Sequence, residues 1–415
     1  MTDSEGLHEV EITSLVYGGN GMGRLIDGKA VFVPYVLPGE KVLVRLVDEQ
    51  QRHAIAELVK VLEASDERVT PKCKHFMVCG GCHYQHLSYA RQTAAKETIL
   101  TEQLQRIGGI ENPPIFPMIP APAPWHYRNT VQFHISDNGK LGYQKFASHE
   151  IIEIEECHLP EAALNQMWPL VDMETVPGIQ RLGMRCGANE DILLNFESDA
   201  LDLPEISLDL PVSVVLQSPV DTIVAAGNDA VTITVADQMF RVSAGSFFQV
   251  NTAQAEVMVK YLLSNLPLKD DTVLMDVYCG VGLFSAFLAS RVKRLVGIEV
   301  SPSACEDFAY NLDPYENVEI YQDAAENVIP NLDLTPDIVI VDPPRSGVHK
   351  AVLDSVAEKN VPFVVYVSCD PATLARDARR LIAKGYSLER VVPIDMFPQT
   401  YHIESISFFE KKSTG

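Results

Sequence analysis

Four short blocks in this chain carry residues whose types and spacing suit chemistry on a polar ring. The first is Asp276-Val277-Tyr278-Cys279-Gly280-Val281-Gly282, which follows the apolar run TVLM and precedes the helical pattern LFSAFLASRV. Glycines Gly280 and Gly282, where a strand hands over to a helix, let backbone approach a nucleotide-like ligand closely. Glu299 ends the next apolar run, RLVGIEV, where an acidic side chain can grip ribose hydroxyls. Ser285 replaces the third glycine of a dinucleotide fingerprint, so a cofactor with ribose but no pyrophosphate, S-adenosylmethionine (SAM), fits better than NAD. The second block is Asp342-Pro343-Pro344-Arg345-Ser346-Gly347 after DIVIV. Its prolines stop the strand, leaving Asp342 as an acceptor for a ring N–H and Arg345 as a donor to phosphate or carbonyl. The third, Ser368-Cys369-Asp370-Pro371 after FVVYV, offers a thiol whose thiolate a helix N-terminus and Arg345 would favour. The fourth, His402-Ile403-Glu404, sets a carboxylate in an apolar terminal strand, where burial would raise its pKa towards that of a general base.

A cysteine group stands apart from these. Cys73, Cys79 and Cys82 form C-x5-C-x2-C, and Cys157 lies far downstream in IEECHLP. A cytosolic setting disfavours disulfides, and the spacing leaves zinc and an iron–sulfur cluster both open. His75, His83 and His86 are read as surface residues near a nucleic acid. Cys186, Cys279 and Cys305 have no assigned role, with Cys279 packing beneath the cofactor turn. Arg68, Lys72, Lys74, Arg91, Lys96 and Arg106 cluster around the same segment, and Arg128 with Trp125 and Tyr127 could contact phosphate or stack on a base.

The elements that must position these residues change character along the chain. Residues 7–62 alternate in short strands with turn signals, the pattern of a small closed barrel. The string Gly19-Asn20-Gly21-Met22-Gly23 reads as a turn rather than a phosphate loop, because strands follow it. A helix is expected from Ser88, its N-cap candidate, to a stop at Gly108-Gly109. The proline-rich NPPIFPMIPAPAPW reads as an extended connector between domains. Residues 125–240 look like mixed β, and from about 246 strands and helices alternate as in a doubly wound α/β sheet. The expected units are a β-barrel over 1–62, a mixed α+β central domain over 63–240 and a Rossmann-like catalytic domain over 241–415. The acidic start MTDSEGLHEVE lacks a signal peptide's apolar core, and no run is long enough to span a membrane, so a soluble cytoplasmic monomer is expected.

Charge complicates a nucleic-acid partner. The formal net charge is -23, whereas counterion release favours basic surfaces. Residues 108–240 hold 19 acidic and 5 basic residues, typified by Glu153, Glu155, Glu156, Glu190, Asp191, Asp199, Asp202 and Asp209. The cysteine segment, residues 63–107, holds 6 basic and 5 acidic residues. RNA should therefore meet the barrel, the cysteine segment and the catalytic mouth, and avoid the acidic stretch.

The blocks DVYCGVG, DPPRSG, VSCDPATLARD and DMFPQTYHIE, with SFFQVN at 246–251, resemble the signature motifs of the RNA uracil-C5 methyltransferase family, in that order. The N-terminal strands resemble its OB-like TRAM domain. The resemblance implies methylation of C5 of a uridine, with Cys369 adding to C6 and Glu404 removing the C5 proton. It also implies that Gln249, Tyr278, Glu299, Asp342 and Asp323 serve the SAM site beside Gly280 and Gly282, and that Arg128 lies near the substrate. Cys73, Cys79, Cys82 and Cys157 match a quartet that binds [4Fe-4S]. Large-subunit (23S) ribosomal RNA is the first expected substrate and a tRNA T-loop uridine the second; a catalytically silent RNA-binding protein and a protein amide methyltransferase are the rivals. The target base would be flipped out of its stack.

Overall fold

The structure, a computed structural model, describes residues 6–171, 178–198, 211–218 and 221–412. Asp199, Asp202 and Asp209 of the acidic stretch lie outside the described residues. Among the described residues no helix is long and apolar enough to cross a membrane.

Strands β1 (Leu7–Leu15), β2 (Asn20–Arg24), β3 (Ala30–Pro34), β4 (Lys41–Glu49) and β5 (His53–Glu63) close into a barrel in the order β1-β2-β3-β5-β4. Alternation sends Val10, Ile12, Val31, Val33, Val42 and Val44 inward. Gly21 and Gly23 differ from the sequence expectation: they lie inside β2, and the turn is at Gly18 and Gly19, both at positive φ. Packing demands them there. A Cβ on Gly23 would sit 2.4 Å from Val10 Cγ1 and 2.5 Å from the Glu11 carbonyl oxygen.

Helix α1 (Tyr89–Arg106) follows the cysteine segment, with Ser88 at the N-cap position but making no side-chain cap bond. It packs on the catalytic part of the molecule, not on the central sheet. Its Ile99, Leu100 and Leu104 share a core with Leu374, Ala378 and Leu381. The proline-rich segment after it is no free connector. Ile115 and Ile119 form parallel bridges to Val391 and Ile394 at the catalytic sheet's edge.

The central sheet is built from β6 (Thr130–Ile135), β7 (Leu141–Gln144), β8 (Ile151–Glu153), β9 (Ile179–Cys186), β10 (Ile192–Ser198), β11 (Ser213–Gln217) and β12 (Thr222–Ala226). Helix α2 (Ala162–Met167) lies beside β9. The hairpin β13 (Ala230–Val235) and β14 (Gln238–Ser243) packs into the same core as helix α3 (Thr252–Asn265) and the catalytic sheet.

The catalytic sheet comprises β15 (Val273–Val277), β16 (Arg294–Glu299), β17 (Val318–Gln322), β18 (Ile338–Val341), β19 (Phe363–Ser368), β20 (Tyr386–Ile394) and β21 (Glu404–Lys411), in the order β17-β16-β15-β18-β19-β21-β20. Helices α4 (Leu283–Leu288), α5 (Pro302–Leu312), α6 (Ala325–Asn331), α7 (Lys350–Glu358) and α8 (Pro371–Ala383) connect and cover it. Its inner strands are apolar on both faces and feed two separate cores, as a helix-covered parallel sheet requires. The strand order reverses between β15 and β18, which places a ligand crevice at their carboxyl ends.

Replacing Gly23 by Ala should overpack the barrel and cost about 1–3 kcal/mol. Thermal or urea unfolding of Gly23→Ala against wild type would show the loss, and equal stability would mean that β1 can move away from β2.

Candidate active site at the mouth of the catalytic sheet

Register brings the chemistry-bearing residues to one edge. Val277 pairs with Ile298 on one side and Val341 on the other, and Val341 pairs with Tyr366. Tyr278, Glu299, Asp342 and Cys369 thus emerge at the carboxyl ends of neighbouring parallel strands. β21 runs antiparallel to β19 and pairs Ser405 with Ser368, so Glu404 faces the position of Cys369. The four blocks read from sequence meet in one place.

On the β15–β16 side, Gly280 has φ 53 and nothing within 4 Å of an added Cβ, which leaves space for a ligand. Gly282 has φ 88 at the N-cap of α4, where a Cβ would strike Leu312 and Phe308. Glu299 accepts from the Gly280 N–H at 3.0 Å and from Val300 and Ser301 N–H at 2.8 Å. Tyr278 adopts φ 63, unusual for a non-glycine residue, and is held by its N–H to the Ile298 carbonyl. The buried Asp276 accepts from Ser285 Oγ at 2.6 Å, while its Oδ1 has no partner in the protein. Burial pushes Asp276 up to about 7. An orphaned buried acid, Glu299 and an open glycine turn suit a cationic nucleoside such as SAM. Cys279 is buried against Gly297 beneath this turn, as expected. Asp323 follows β17, the strand next to β16, and accepts from Ala324 N–H and Asn327 Nδ2 just before α6.

On the β18–β19 side, Asp342 accepts from Gln249 Nε2 at 3.4 Å. Burial, then the Asp276 charge, pushes Asp342 up to about 7. Glu404 is 2% exposed, and burial followed by Asp342 raises its pKa well above the usual range. Cys369 overturns one expectation. Its thiol is pushed up to about 12 by burial, then by Glu404 and Asp342, with Arg345 opposing weakly. The helix N-terminus gives no help, because the Asp370 side chain accepts from Ala372 and Thr373 N–H, each at 2.9 Å. Tyr17 of the barrel donates to the other Asp370 oxygen at 2.8 Å. Arg345 is exposed and lies 3.4 Å from His402 Nε2; burial and that guanidinium push His402 down to about 3.

Residues that sequence reasoning missed fix the loop bearing Gln249. Asp307 on α5, fully buried, accepts from Ser243 N–H and Oγ and from Ser246 Oγ. Arg185 on β9 donates to the carbonyls of Ser243 and Ser246, each at 2.7 Å. Asn129 Nδ2 donates to the Gln249 carbonyl at 2.9 Å. Asn129 follows Arg128 directly in HYRN, and the loop itself was marked in sequence by SFFQVN, but nothing there pointed to Asp307 or Arg185.

Cys73, Cys79, Cys82 and Cys157 line one cavity of about 250 Å³, walled by Phe76, Val131, Ile154 and Leu159. None is in a disulfide. Among the described residues no three His, Cys, Asp or Glu side chains are gathered closely enough for a single metal ion. Arg128 lies in this wall beside Cys82, and its Nε has no partner. Tyr127 is buried and donates to the Pro398 carbonyl at 3.0 Å, so it is no exposed stacking platform. His83 and His86 are buried, not surface residues, and burial lowers both to about 4. The basic cluster is also less free than its sequence implies. Lys96 is fully buried against Asp395, Arg68 pairs with Glu40, Arg91 with Glu67, and Lys74 with Glu155.

Fold and site together define a methyltransferase with an appended RNA-binding barrel. A model of the tRNA (uracil-5-)-methyltransferase family matches residues 195–412, and one of the TRAM domain matches residues 8–59. Uncharacterized RNA methyltransferases of Gloeobacter violaceus and Halalkalibacterium halodurans are 32% and 34% identical, over 97% and 98% of this chain and 96% and 97% of their own lengths. The crystal structure of Pyrococcus abyssi tRNA (uracil-54, C5)-methyltransferase with S-adenosyl-L-homocysteine shares the fold, with TM-score 0.74 at 24% identity, covering 96% of this chain and all of that one. The chain belongs to the tRNA (uracil-5-)-methyltransferase family and is a SAM-dependent RNA methyltransferase.

A thiol held at about 12 is almost wholly protonated in the free protein. Alkylation of the Cys369 peptide by iodoacetamide should rise about tenfold per pH unit from about pH 7 to pH 10, following the thiolate fraction. Peptide mass spectrometry would read this, and a plateau below about pH 8 would show a resting thiolate instead.

Proposed function

We propose that this protein methylates C5 of a uridine in structured RNA through a covalent adduct between Cys369 and C6. The observation that carries this reading is the pairing of β19 with β21, which sets the Cys369 thiol and the Glu404 carboxyl face to face beside Asp342. Uracil C5 is a weak nucleophile until a group adds at C6. The Cys369 sulfur forms the C6 bond while its proton passes to water, and the C5–C6 π pair moves towards C5 and O4 as an enolate. SAM, when bound, supplies an electrophilic methyl group, which C5 takes in line. Glu404 then accepts the C5 proton, the C6–S bond breaks, and Cys369 is restored. Gln249 and Asp342 are placed to hold the base, and Arg345 to contact carbonyl or phosphate.

The raised carboxyls fit this sequence. Burial and a neighbouring carboxylate, Asp276 for Asp342 and Asp342 for Glu404, raise both carboxyls and favour their protonated forms when no positive partner is present. A sulfonium brought into the same mouth would lower both, leaving Glu404 ionised when the C5 proton must be taken. Order of binding and readiness of the base are thereby linked.

Large-subunit ribosomal RNA is the substrate proposed first, because the cysteine quartet resembles that of family members acting there. The second reading, a tRNA T-loop uridine, is favoured by the Pyrococcus abyssi enzyme's substrate and by the family model's description. Mapping 5-methyluridine in rRNA and tRNA from a deletion strain decides between them. Cys369→Ala should abolish both product and the adduct with 5-fluorouridine RNA. Glu404→Gln should still form an adduct on ordinary RNA with SAM and fail to release it. Product formation by Cys369→Ala at the wild-type rate would overturn the covalent route.

For the cysteine cavity we propose a [4Fe-4S] cluster held by Cys73, Cys79, Cys82 and Cys157. Four unpaired thiols around one largely apolar cavity, with a buried guanidinium beside them, suit an anionic sulfur-ligated group wider than one ion. The cluster would supply structure or RNA orientation, as methyl transfer needs no redox step. Anaerobic purification should give a brown protein with about four irons per chain, the stoichiometry of four-thiolate ligation. A colourless protein with stoichiometric zinc would overturn it.

A further inference from the structure

The segment Asp395–His402, which leads into Glu404, is held largely by elements far away in sequence. Its pivot is Gln399, a non-glycine residue at φ 69 and 3% exposed. The Gln399 carbonyl accepts from His83 N–H at 2.9 Å and Tyr84 N–H at 3.0 Å, one and two residues after Cys82. Gln92 on α1 closes a reciprocal pair with the same residue. Its Nε2 donates to Gln399 Oε1, and its Oε1 accepts from Gln399 N–H, both at 3.0 Å. The other Nε2 proton is shared between the Tyr84 and Leu87 carbonyls, at 3.1 Å and 2.9 Å, so the side chain has no rotational choice.

One turn along α1, Lys96 reaches the other end of the segment. Its ammonium donates to Asp395 Oδ1 at 2.6 Å and to the Phe397 carbonyl at 3.0 Å, with both ion-pair side chains fully buried. A charge pair sealed in an apolar core is a poor source of stability compared with packed hydrophobes, and its best-attested use is to fix register. Here the register fixed is that of the strap between β20 and β21. From Gln399 the order passes through touching rings: Tyr401 lies 4.6 Å from His83 and 4.3 Å from His402, which in turn meets Arg345.

We infer that Gln92 and Lys96 are positioning residues for methyl transfer: α1 and the cysteine segment brace the Asp395–His402 strap and so aim His402 and Glu404 at the base. The inference rests on the uridine-methylating reading for its kinetic arm only. Left-handed backbone at Gln399 is costly without external bonds, and Gln92 supplies them. Loss of Gln92 should let the strap relax by up to about 1 Å while the SAM turn, built on β15 and β16, stays intact.

The test compares wild type, Gln92→Leu, Lys96→Met and the charge-free pair Lys96→Met/Asp395→Asn. Hydrogen exchange, melting temperature, SAM affinity by calorimetry, and methyl transfer from labelled SAM to total RNA of a deletion strain are measured. Gln92→Leu should speed exchange of the 396–403 amides, keep SAM affinity, and lower kcat by up to about 100-fold with KM for SAM unchanged, as a displacement near 1 Å does. The charge-free pair should recover the melting temperature lost by Lys96→Met without recovering kcat. Altered melting with wild-type kcat per folded molecule in all variants would overturn the inference. Wild type that transfers no methyl group would instead refute the functional reading, while unchanged 396–403 exchange in Gln92→Leu would still refute the brace.

Discussion

Ser368 pairs with Ser405 where β21 runs antiparallel to β19, next to the parallel strands whose carboxyl ends form the mouth. Parallel strands alone could deliver Tyr278, Glu299, Asp342 and Cys369 to a common edge, since each follows the carboxyl end of its own strand. Reversing β21 brings the start of a strand to that edge, and Glu404 is the residue with which the strand begins. A register slip of one residue would move Glu404 to the opposite face. The β20–β21 ladder, unbroken from Ile394 opposite Glu404 to Arg390 opposite Phe408 before a register shift at Leu388, holds that register next to the mouth.

Such a mouth is electrostatically expensive. Asp276 and Glu404 are buried, the half-buried Asp342 acts on Glu404 and is acted on by Asp276, and the Cys369 thiol lies close to Asp342 and Glu404. In the free protein burial raises all three carboxyls, and partial protonation reduces that cost. Reactivity then depends on what enters. A cationic methyl donor would turn a destabilising cluster of acids into a matched pocket, so that binding and activation draw on the same interaction.

The strand-end chemistry was legible in sequence because it obeys a local grammar. DIVIVDPP and FVVYVSCDP are apolar runs stopped by proline, and the residue at the stop must lie at the sheet's carboxyl edge. Burial of Glu404 could likewise be read from its apolar neighbours. What was not legible depended on partners distant in the chain. The Cys369 thiol looked activated because Arg345 and a helix start are close in sequence pattern, but Asp370 occupies that helix start and the acids outweigh the arginine. Asp307, Arg185, Gln92 and Lys96 read as ordinary helix or strand polars, and only the tertiary fold buries them. Gly21 and Gly23 resembled turn residues because the space they leave is filled by Val36, Ile12 and Val10 from other strands.

The net charge of -23 acquires a different meaning in this light. Counting by segment left the cysteine region as the natural landing place for a polyanion. Lys96, however, is spent inside the protein on Asp395, Arg68 is bound to a buried Glu40, and Lys74 and Arg91 have acidic partners at the surface. Surface pairs yield readily to a competing phosphate, whereas the two buried ones do not. The basic residues of this segment therefore divide into a few that can meet RNA and others whose charge sets internal geometry. Long-range attraction is correspondingly weak, which leaves more of any discrimination to short-range contacts at the mouth, where Arg345 is exposed beside a His402 whose pKa burial lowers to about 3.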